Sequence, residues 1–302
     1  MGAVEGSGRP ELIVARILIT GATGMLGTDL VDVLSAHEVT ALSRTDLDIE
    51  DAPAVRTAVT GHDVVINCAA YTKVDDAESH EDEAFGVNAR GAHNLALAAR
   101  DVDARVIHLS TDYVFNGRAH TPYAEDTPRD PVSAYGRTKA AGEELVLEAH
   151  AEGTAIVRTA WLYGAHGPNF VDTILRLLGE RDTLSVVNDQ RGQPTWSRDV
   201  ALRIADMVAA NVPAGIFHAT NSGEATWFEL AQRVCELTGE DPLRILPTDS
   251  SHFVRPAPRP PYSVLGHQAW ATMELGPLRS WQEALAERLA HRVNENLGDN
   301  HG

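Results

Sequence analysis

Apolar residues along this chain recur with two different periods. Residues 16 to 20 (RILIT) form a short apolar run of strand length. A glycine-rich turn follows, then a stretch from about 25 to 35 with apolar positions at helical spacing. Further short runs occur at 38 to 42, 63 to 67 (DVVIN), 105 to 109 (RVIHL) and 154 to 159. Helical stretches lie between them, one alanine-rich at about 84 to 100 and one at about 133 to 150. Buried apolar strands alternating with helices predict right-handed βαβ crossovers. The expected class is therefore α/β, with a doubly wound parallel sheet of the Rossmann type.

After Tyr163 the regularity weakens. Stretches rich in Gly, Pro and Asn at 164–169, 188–195 and 255–263 interrupt the helices. This pattern fits a smaller, discontinuous substrate-binding lobe better than a separate C-terminal domain. The expected division is a flexible extension at 1–15, a dinucleotide-binding domain at 16–166 and 194–221, and the lobe at 167–193 and 222–302.

Composition works mainly by exclusion. In 302 residues, 43% hydrophobic and 23% charged side chains suffice for a sizeable globular core. The 25 basic and 43 acidic side chains leave a net charge of −18. That argues against sequence-independent nucleic-acid binding, which needs cationic contacts to phosphates. Local arginines and helix N-termini can still hold an anionic ligand. No apolar run is long enough to span a bilayer, and the start of the chain has no signal-like core. Cys68 and Cys235 lack metal spacing and read as two free thiols of a cytoplasmic protein.

The first chemical motif follows the first strand. Gly21-Ala22-Thr23-Gly24-Met25-Leu26-Gly27 places glycines three residues apart, between a strand and a helix. A pyrophosphate needs this arrangement: a tight turn, close approach of the backbone, and free amides at a helix N-terminus. Ser43-Arg44, after the second strand, falls where the adenosine ribose or its 2′-phosphate would lie. Arg44 is either a partner for that phosphate, favouring NADPH over NADH, or a solvated loop residue.

A second motif is Tyr135-Gly136-Arg137-Thr138-Lys139. Residues i and i+4 share a helix face, so phenol and ammonium can face one cleft. A phenol stores its proton at pH 7, and a neighbouring cation brings its pKa closer to the working range. Ser110-Thr111 follows the fourth strand, at the carboxyl edge where doubly wound sheets bind ligands. Either hydroxyl could hold a substrate carbonyl together with Tyr135, since adjacent strand residues point to opposite faces. The order of glycine turn, Ser-Thr strand end and Tyr-x-x-x-Lys suits carbonyl reduction.

The GxxGxxG spacing resembles that of the extended short-chain dehydrogenases. More specific stretches resemble the dTDP-4-dehydrorhamnose reductases and related dTDP-4-keto-6-deoxyhexose reductases. They include the run from Asn67 through Cys68, Ala69, Ala70 and Tyr71 to Glu78, then Val87-Asn88, Arg158-Thr159-Ala160-Trp161-Leu162-Tyr163-Gly164 and Asn169-Phe170. Asn188-Asp189-Gln190-Arg191-Gly192-Gln193-Pro194-Thr195 and Arg259-Pro260-Pro261-Tyr262-Ser263-Val264-Leu265 complete the set, which spans about residues 16 to 290.

This resemblance implies catalytic roles for Thr111, Tyr135 and Lys139, with Lys139 also touching the nicotinamide ribose. It implies that Cys68, Ala69, Ala70, Tyr71 and Asn88 bind the cofactor. Asp48-Ile49 would lie on the adenine side, unless they are a turn Asp and a core Ile. Asp112, Tyr113 and Trp161 would border the sugar. Asn169, Gln190, Gln193 and Arg259 would approach the nucleotide. Trp161 as core, Arg259 as a surface ion pair and Asn169 as a helix cap are the plainer alternatives.

Two positions depart from the family pattern. Asp29 stands where some members place a magnesium-binding glutamate, so no metal is expected, and the chain is taken as a monomer or homodimer. Gly266-His267-Gln268-Ala269-Trp270 replaces an Asn-Thr-x-Lys-like stretch. The expected activity is reduction at C4 of a dTDP-linked keto-6-deoxy sugar with NADPH, or alternatively NADH, as the reductant. The rivals are an NADP-binding regulatory subunit, similar to that of methionine adenosyltransferase, and a 4-epimerase or dehydratase. Asp112-Tyr113 lacks the Asp-Glu pair usual in a dehydratase.

Overall fold

The computed structural model describes residues 14–271, 273 and 275–299. Residues 1–13 of the expected extension lie outside the described residues. The first half of the chain alternates as the apolar pattern requires. In order come β1 (Arg16–Thr20), α1 (Met25–Val33), β2 (Glu38–Leu42), α2 (Ala52–Val59), β3 (Val64–Asn67), α3 (Glu81–Phe85), α4 (Ala92–Asp101), β4 (Arg105–Thr111), α5 (Ala134–His150) and β5 (Thr154–Thr159).

Six parallel strands form the main sheet in the order β10-β5-β4-β3-β1-β2, where β10 is a later strand, Gly215–His218. The order reverses between β1 and β3, so a crevice opens at their carboxyl ends.

The strands are apolar on both faces because helices cover both. Ile17, Ile19, Ile66 and Val157 face α1 and the later helix Ser197–Ala209. Leu18, Val65 and Val106 face α2, α4 and α5. Each such Ile, Leu or Val, removed from water, contributes about 1.5–3 kcal/mol.

Two boundaries differ from the sequence reading. The single helix expected over residues 84–100 is two helices joined by a π-turn at Gly86–Gly91. Strand β4 runs two residues further than expected, carrying Ser110 and Thr111 within the sheet. Helix α5 begins after Ser133, whose hydroxyl accepts a hydrogen bond from Gly136 N at 3.1 Å.

Beyond β5 the elements shorten: β6 (Leu162–Tyr163), α6 (Phe170–Leu178), β7 (Leu184–Val187), β8 (Arg191–Gly192), β9 (Thr195–Trp196), α7 (Ser197–Ala209), β10, β11 (Asn221–Ser222), β12 (Ala225–Thr226), α8 (Trp227–Thr238), β13 (Ile245–Thr248), α9 (Gln268–Ala271), β14 (Leu278–Ser280) and α10 (Trp281–Asp299). A second core joins α6, β7, α8, β13 and α10 through Ile174, Leu184, Leu230, Val234, Ile245 and Leu285. Thr226 and Glu229 form a reciprocal capping box at the start of α8.

Some residues pack across the expected division of the chain. Residues near Trp270, placed in the lobe by sequence, return to the main body. Trp270 is buried in the first core and donates its indole N–H to the His218 carbonyl at 2.7 Å. An amphipathic indole finds both a cover and an acceptor there. Tyr163 and Trp196, placed with the dinucleotide domain by sequence, pack into the second core. Among the described residues no helix is long and apolar enough to cross a membrane. Cys68 and Cys235 are free.

Candidate active site

The crevice at the carboxyl ends of β1 and β3 is a cleft of about 670 Å³. Gly21 has φ +68°, and a Cβ there would come 2.6 Å from Ala69 N. A Cβ on Gly27 would lie 2.3 Å from Gly21 O and 2.8 Å from Ala22 Cα. The first and third glycines are therefore required by backbone packing. Gly24 is the N-cap of α1 and brings no side chain to the helix start. The first amides of α1 thus remain available to an anion, as a pyrophosphate cradle needs.

Gly21, Thr23, Gly24, Met25, Leu26 and Gly27 line this cleft, as do Ser43, Arg44, Asp48, Ile49, Cys68, Ala69, Ala70 and Tyr71. Asn88, from the π-turn, stands one layer behind. It accepts from Tyr71 N at 2.8 Å and donates to Tyr71 O at 3.2 Å and to Thr138 Oγ1 at 3.0 Å, pinning the loop after β3. Asp29 is buried on α1 and accepts the Ser197 hydroxyl at 2.5 Å.

Thr111, Asp112, Tyr113, Tyr135, Lys139 and Trp161 also line the cleft. The two strand-end hydroxyls both line the cleft but have different partners. Ser110 donates to Glu143 Oε1 at 2.5 Å. Thr111 donates to Asp112 Oδ1 at 3.0 Å and accepts from Tyr113 N at 3.2 Å, and its hydroxyl is close enough to the Tyr135 phenol to lower the phenol's pKa.

Burial dominates the electrostatics. It pushes the Tyr135 phenol up to about 12, with the Thr111 hydrogen bond opposing, and the Asp112 carboxyl up to about 6. The Lys139 ammonium falls to about 8 for the same reason, opposed by the charge of Glu143. Its Nζ donates to the Leu109 carbonyl at 2.6 Å. The sequence predicts that Lys139 lowers the pKa of Tyr135; instead desolvation raises it, and the opposing influence is the Thr111 hydroxyl rather than Lys139. Tyr113 packs edge-on against Tyr135, with ring centroids 5.5 Å apart.

A second cleft, of about 700 Å³, adjoins the first, and Tyr113 and Trp161 line both. Gln190 and Arg259 line the second cleft. Arg259 lies over the Tyr113 ring at 6.0 Å and pairs with Asp75 at 2.9 Å. Asn169 and Gln193 are not on either lining. Asn169 caps α6, accepting from Asp172 N at 3.0 Å, and Gln193 is buried between Leu265 and Thr220.

Sequence reasoning missed Trp227, Arg255 and Phe253, which also line the second cleft. Trp227 stacks flat on Trp161, centroids 3.6 Å apart at 6°, and donates its indole N–H to Gln190 Oε1 at 3.2 Å. A tryptophan directly after a Thr helix cap was the available signal. Trp161 itself is held at φ +46°, and a Cβ on Gly192 would strike its ring at 2.5 Å.

A dinucleotide cradle and a buried phenol sharing one sheet edge place the chain in the extended short-chain dehydrogenase/reductase class. Within that class it belongs to the family described as RmlD substrate binding domain, which matches residues 15–294. It is 52% identical over 280 residues to a dTDP-4-dehydrorhamnose reductase of Streptomyces griseus, covering 90% of this chain and 92% of that protein. It is 48% identical over 276 residues to a dTDP-4-keto-6-deoxy-D-glucose reductase of Streptomyces niveus, covering 90% and 96%. The crystal structure of the Bacillus anthracis dTDP-4-dehydrorhamnose reductase in complex with NADP superposes with a TM-score of 0.89 at 37% identity. That match covers 92% of this chain and all of the other.

Proposed function

We propose that this protein reduces the C4 keto group of a dTDP-4-keto-6-deoxy sugar, dTDP-4-dehydrorhamnose or a close analogue, with NADPH as the reductant. One observation carries this reading: a backbone-built dinucleotide cleft and an aromatic cleft share Tyr113 and Trp161 as a common wall, where Thr111 and Tyr135 stand. Substrate and cofactor held in the two clefts meet at a proton donor.

A nicotinamide bound in the first cleft supplies the hydride. Thr111 orients the carbonyl oxygen, and Tyr135 delivers its proton to that oxygen as the C–O bond becomes an alcohol. Burial keeps the phenol protonated until an adjacent alkoxide needs it. Lys139 supplies a cation beside the phenol and a donor toward the cofactor ribose. Arg44, at the far end of the first cleft, answers a 2′-phosphate and so favours NADPH over NADH. In the second cleft, Trp161 and Trp227 offer flat apolar faces, Gln190 an amide, and Arg259 a guanidinium for the diphosphate. No feature of either cleft favours a regulatory subunit over the enzyme.

The test is NADPH oxidation by the purified protein with dTDP-4-dehydrorhamnose, followed by NMR identification of the product. Stoichiometric conversion to the C4 alcohol is expected. Absence of turnover with every dTDP-4-keto-6-deoxy sugar, in protein that binds NADPH, would overturn the reading.

A further inference from the structure

One helical turn beyond Lys139 on α5 lies a buried charge cluster that the reaction scheme does not use. Glu143 follows Lys139 by one turn of α5 and has no exposed surface. Its carboxylate accepts from Arg158 Nε at 2.8 Å and Nη2 at 2.7 Å, from Ser110 Oγ at 2.5 Å, and from Arg129 Nη1 at 3.3 Å. Arg158 is buried as well. It lies 5.0 Å over the Phe115 ring and donates to the Glu125 carbonyl at 3.2 Å. Burying an ion pair of this kind is costly, and well-packed apolar side chains hold a fold at least as firmly. Stability alone therefore gives little reason for the cluster's position.

Its connections give a better one. Ser110 directly follows Leu109, whose carbonyl receives the Lys139 ammonium. The contacts thus close a ring from Lys139 to Leu109, through Ser110 to Glu143, and back along one turn of helix. We infer that Glu143 is a positioning residue for the reaction, holding the Lys139 ammonium both charged and aimed.

The groups facing Lys139 bear this out. Cys68, after β3, is a neutral thiol, because burial pushes its pKa up to about 12. His108, on β4, is neutral because burial holds its pKa well below the usual imidazole range. Tyr135, one turn earlier on α5, is a neutral phenol. Burial pushes the Glu143 carboxyl up as well, but Arg158, Ser110 and Arg129 together outweigh it and leave its pKa below the usual value. Of these four groups, Glu143 alone carries a charge at neutral pH, and its sign favours the ammonium.

The inference rests on the functional reading only in taking Lys139 as catalytic, and a direct titration separates the two. The chain contains two lysines, Lys73 and Lys139. Protein labelled with 13C at the lysine ε carbon therefore shows two side-chain resonances, which Lys73→Arg assigns. In Glu143→Gln the Lys139 midpoint should fall by about one pH unit, and the alkaline limb of kcat should move with it.

An unchanged Lys139 midpoint in a folded Glu143→Gln protein overturns the inference. If that variant fails to fold because Arg158 is left unpaired, Glu143→Met with Arg158→Met removes both charges; the Lys139 midpoint should fall in the same direction by a smaller amount, and an unchanged midpoint is again the adverse outcome. A shifted midpoint in protein whose parent reduces no keto sugar supports the control of Lys139 and overturns the functional reading instead.

Discussion

The two halves of the proposed active site are built by different means. The cofactor half is made mostly of backbone from consecutive elements: β1, the glycine turn, the start of α1 and the end of β3. Its glycines sit where a Cβ would meet main-chain atoms that cannot move aside. The sugar half is made of side chains from distant segments, including Tyr113, Trp161, Gln190, Trp227 and Arg259, held by a ring stack, a helix cap and one ion pair. A backbone cradle suits a ligand with invariant chemistry, and changing it means refolding the turn. A side-chain wall can be altered one residue at a time. Selectivity among sugars should therefore be tunable in the second half and rigid in the first.

Replacing residues in each half, and where they meet, tests this division. The largest effect belongs to the meeting point. Tyr135→Phe removes the proton donor but keeps the ring that lines the first cleft, so kcat should fall by about 10³-fold, within the usual range for general acid catalysis. NADPH and dTDP affinities, measured calorimetrically, should stay within about twofold. Loss of either affinity would mean that the phenol holds the site together rather than serving as the donor.

Next comes the cofactor half. Gly27→Val drives a side chain into Gly21 and Ala22, displacing the turn. NADPH affinity should fall by about 100-fold or more, which corresponds to nearly 3 kcal/mol, while dTDP still binds. Equal loss of both ligands would show that the halves fold as one unit.

In the sugar half, Trp227→Leu removes the face stacked on Trp161 and the donor that orients Gln190. An aromatic pair and one hydrogen bond are together worth about 1–2 kcal/mol. KM for the sugar nucleotide should rise by about 10- to 20-fold in steady-state kinetics, with KM for NADPH unchanged. A variant with normal KM and lower kcat would move Trp227 from ligand recognition to catalytic alignment.

The same division decides what was legible in the sequence. Most of what builds the cofactor half lies within a few residues of a strand end, and Tyr135 and Lys139 share one helix, so the glycine spacing, the Ser-Thr edge and Tyr135-x-x-x-Lys139 could be read as local motifs. Helix α5 was legible from Ser133 onward because a cap and a long regular pattern agree. The π-turn at Gly86–Gly91 was not. It keeps helical composition, and only its contacts with Ile49 and the Tyr71 loop give it away.

The sugar half depends on contacts across long sequence separations. Gln193 and Asn169 have the amide chemistry a nucleotide needs, but Leu265, Thr220 and Asp172 take up those amides. The burial of Glu143 was equally hidden. A Glu on a helix reads as solvated until Arg158, on a strand, is seen beneath it.

The smallest effect is expected where the halves touch. Asp75, in the segment after β3, pairs with Arg259 at 2.9 Å and approaches Arg255 at 3.7 Å; it also accepts from Ala257 N at 3.3 Å. The Asp75 and Arg259 side chains are 29% and 22% exposed, so water screens the pair and its worth is below about 1 kcal/mol. Asp75→Asn keeps an acceptor for Ala257 N while removing the charge that competes with a diphosphate for Arg259. KM for the sugar nucleotide should therefore drop by about two- to threefold, equivalent to roughly 0.5 kcal/mol, with NADPH binding unaffected. The opposite result is equally informative. If KM rises, Arg259 depends on Asp75 for its aim, and the cofactor half sets the geometry of the sugar half through this one carboxylate.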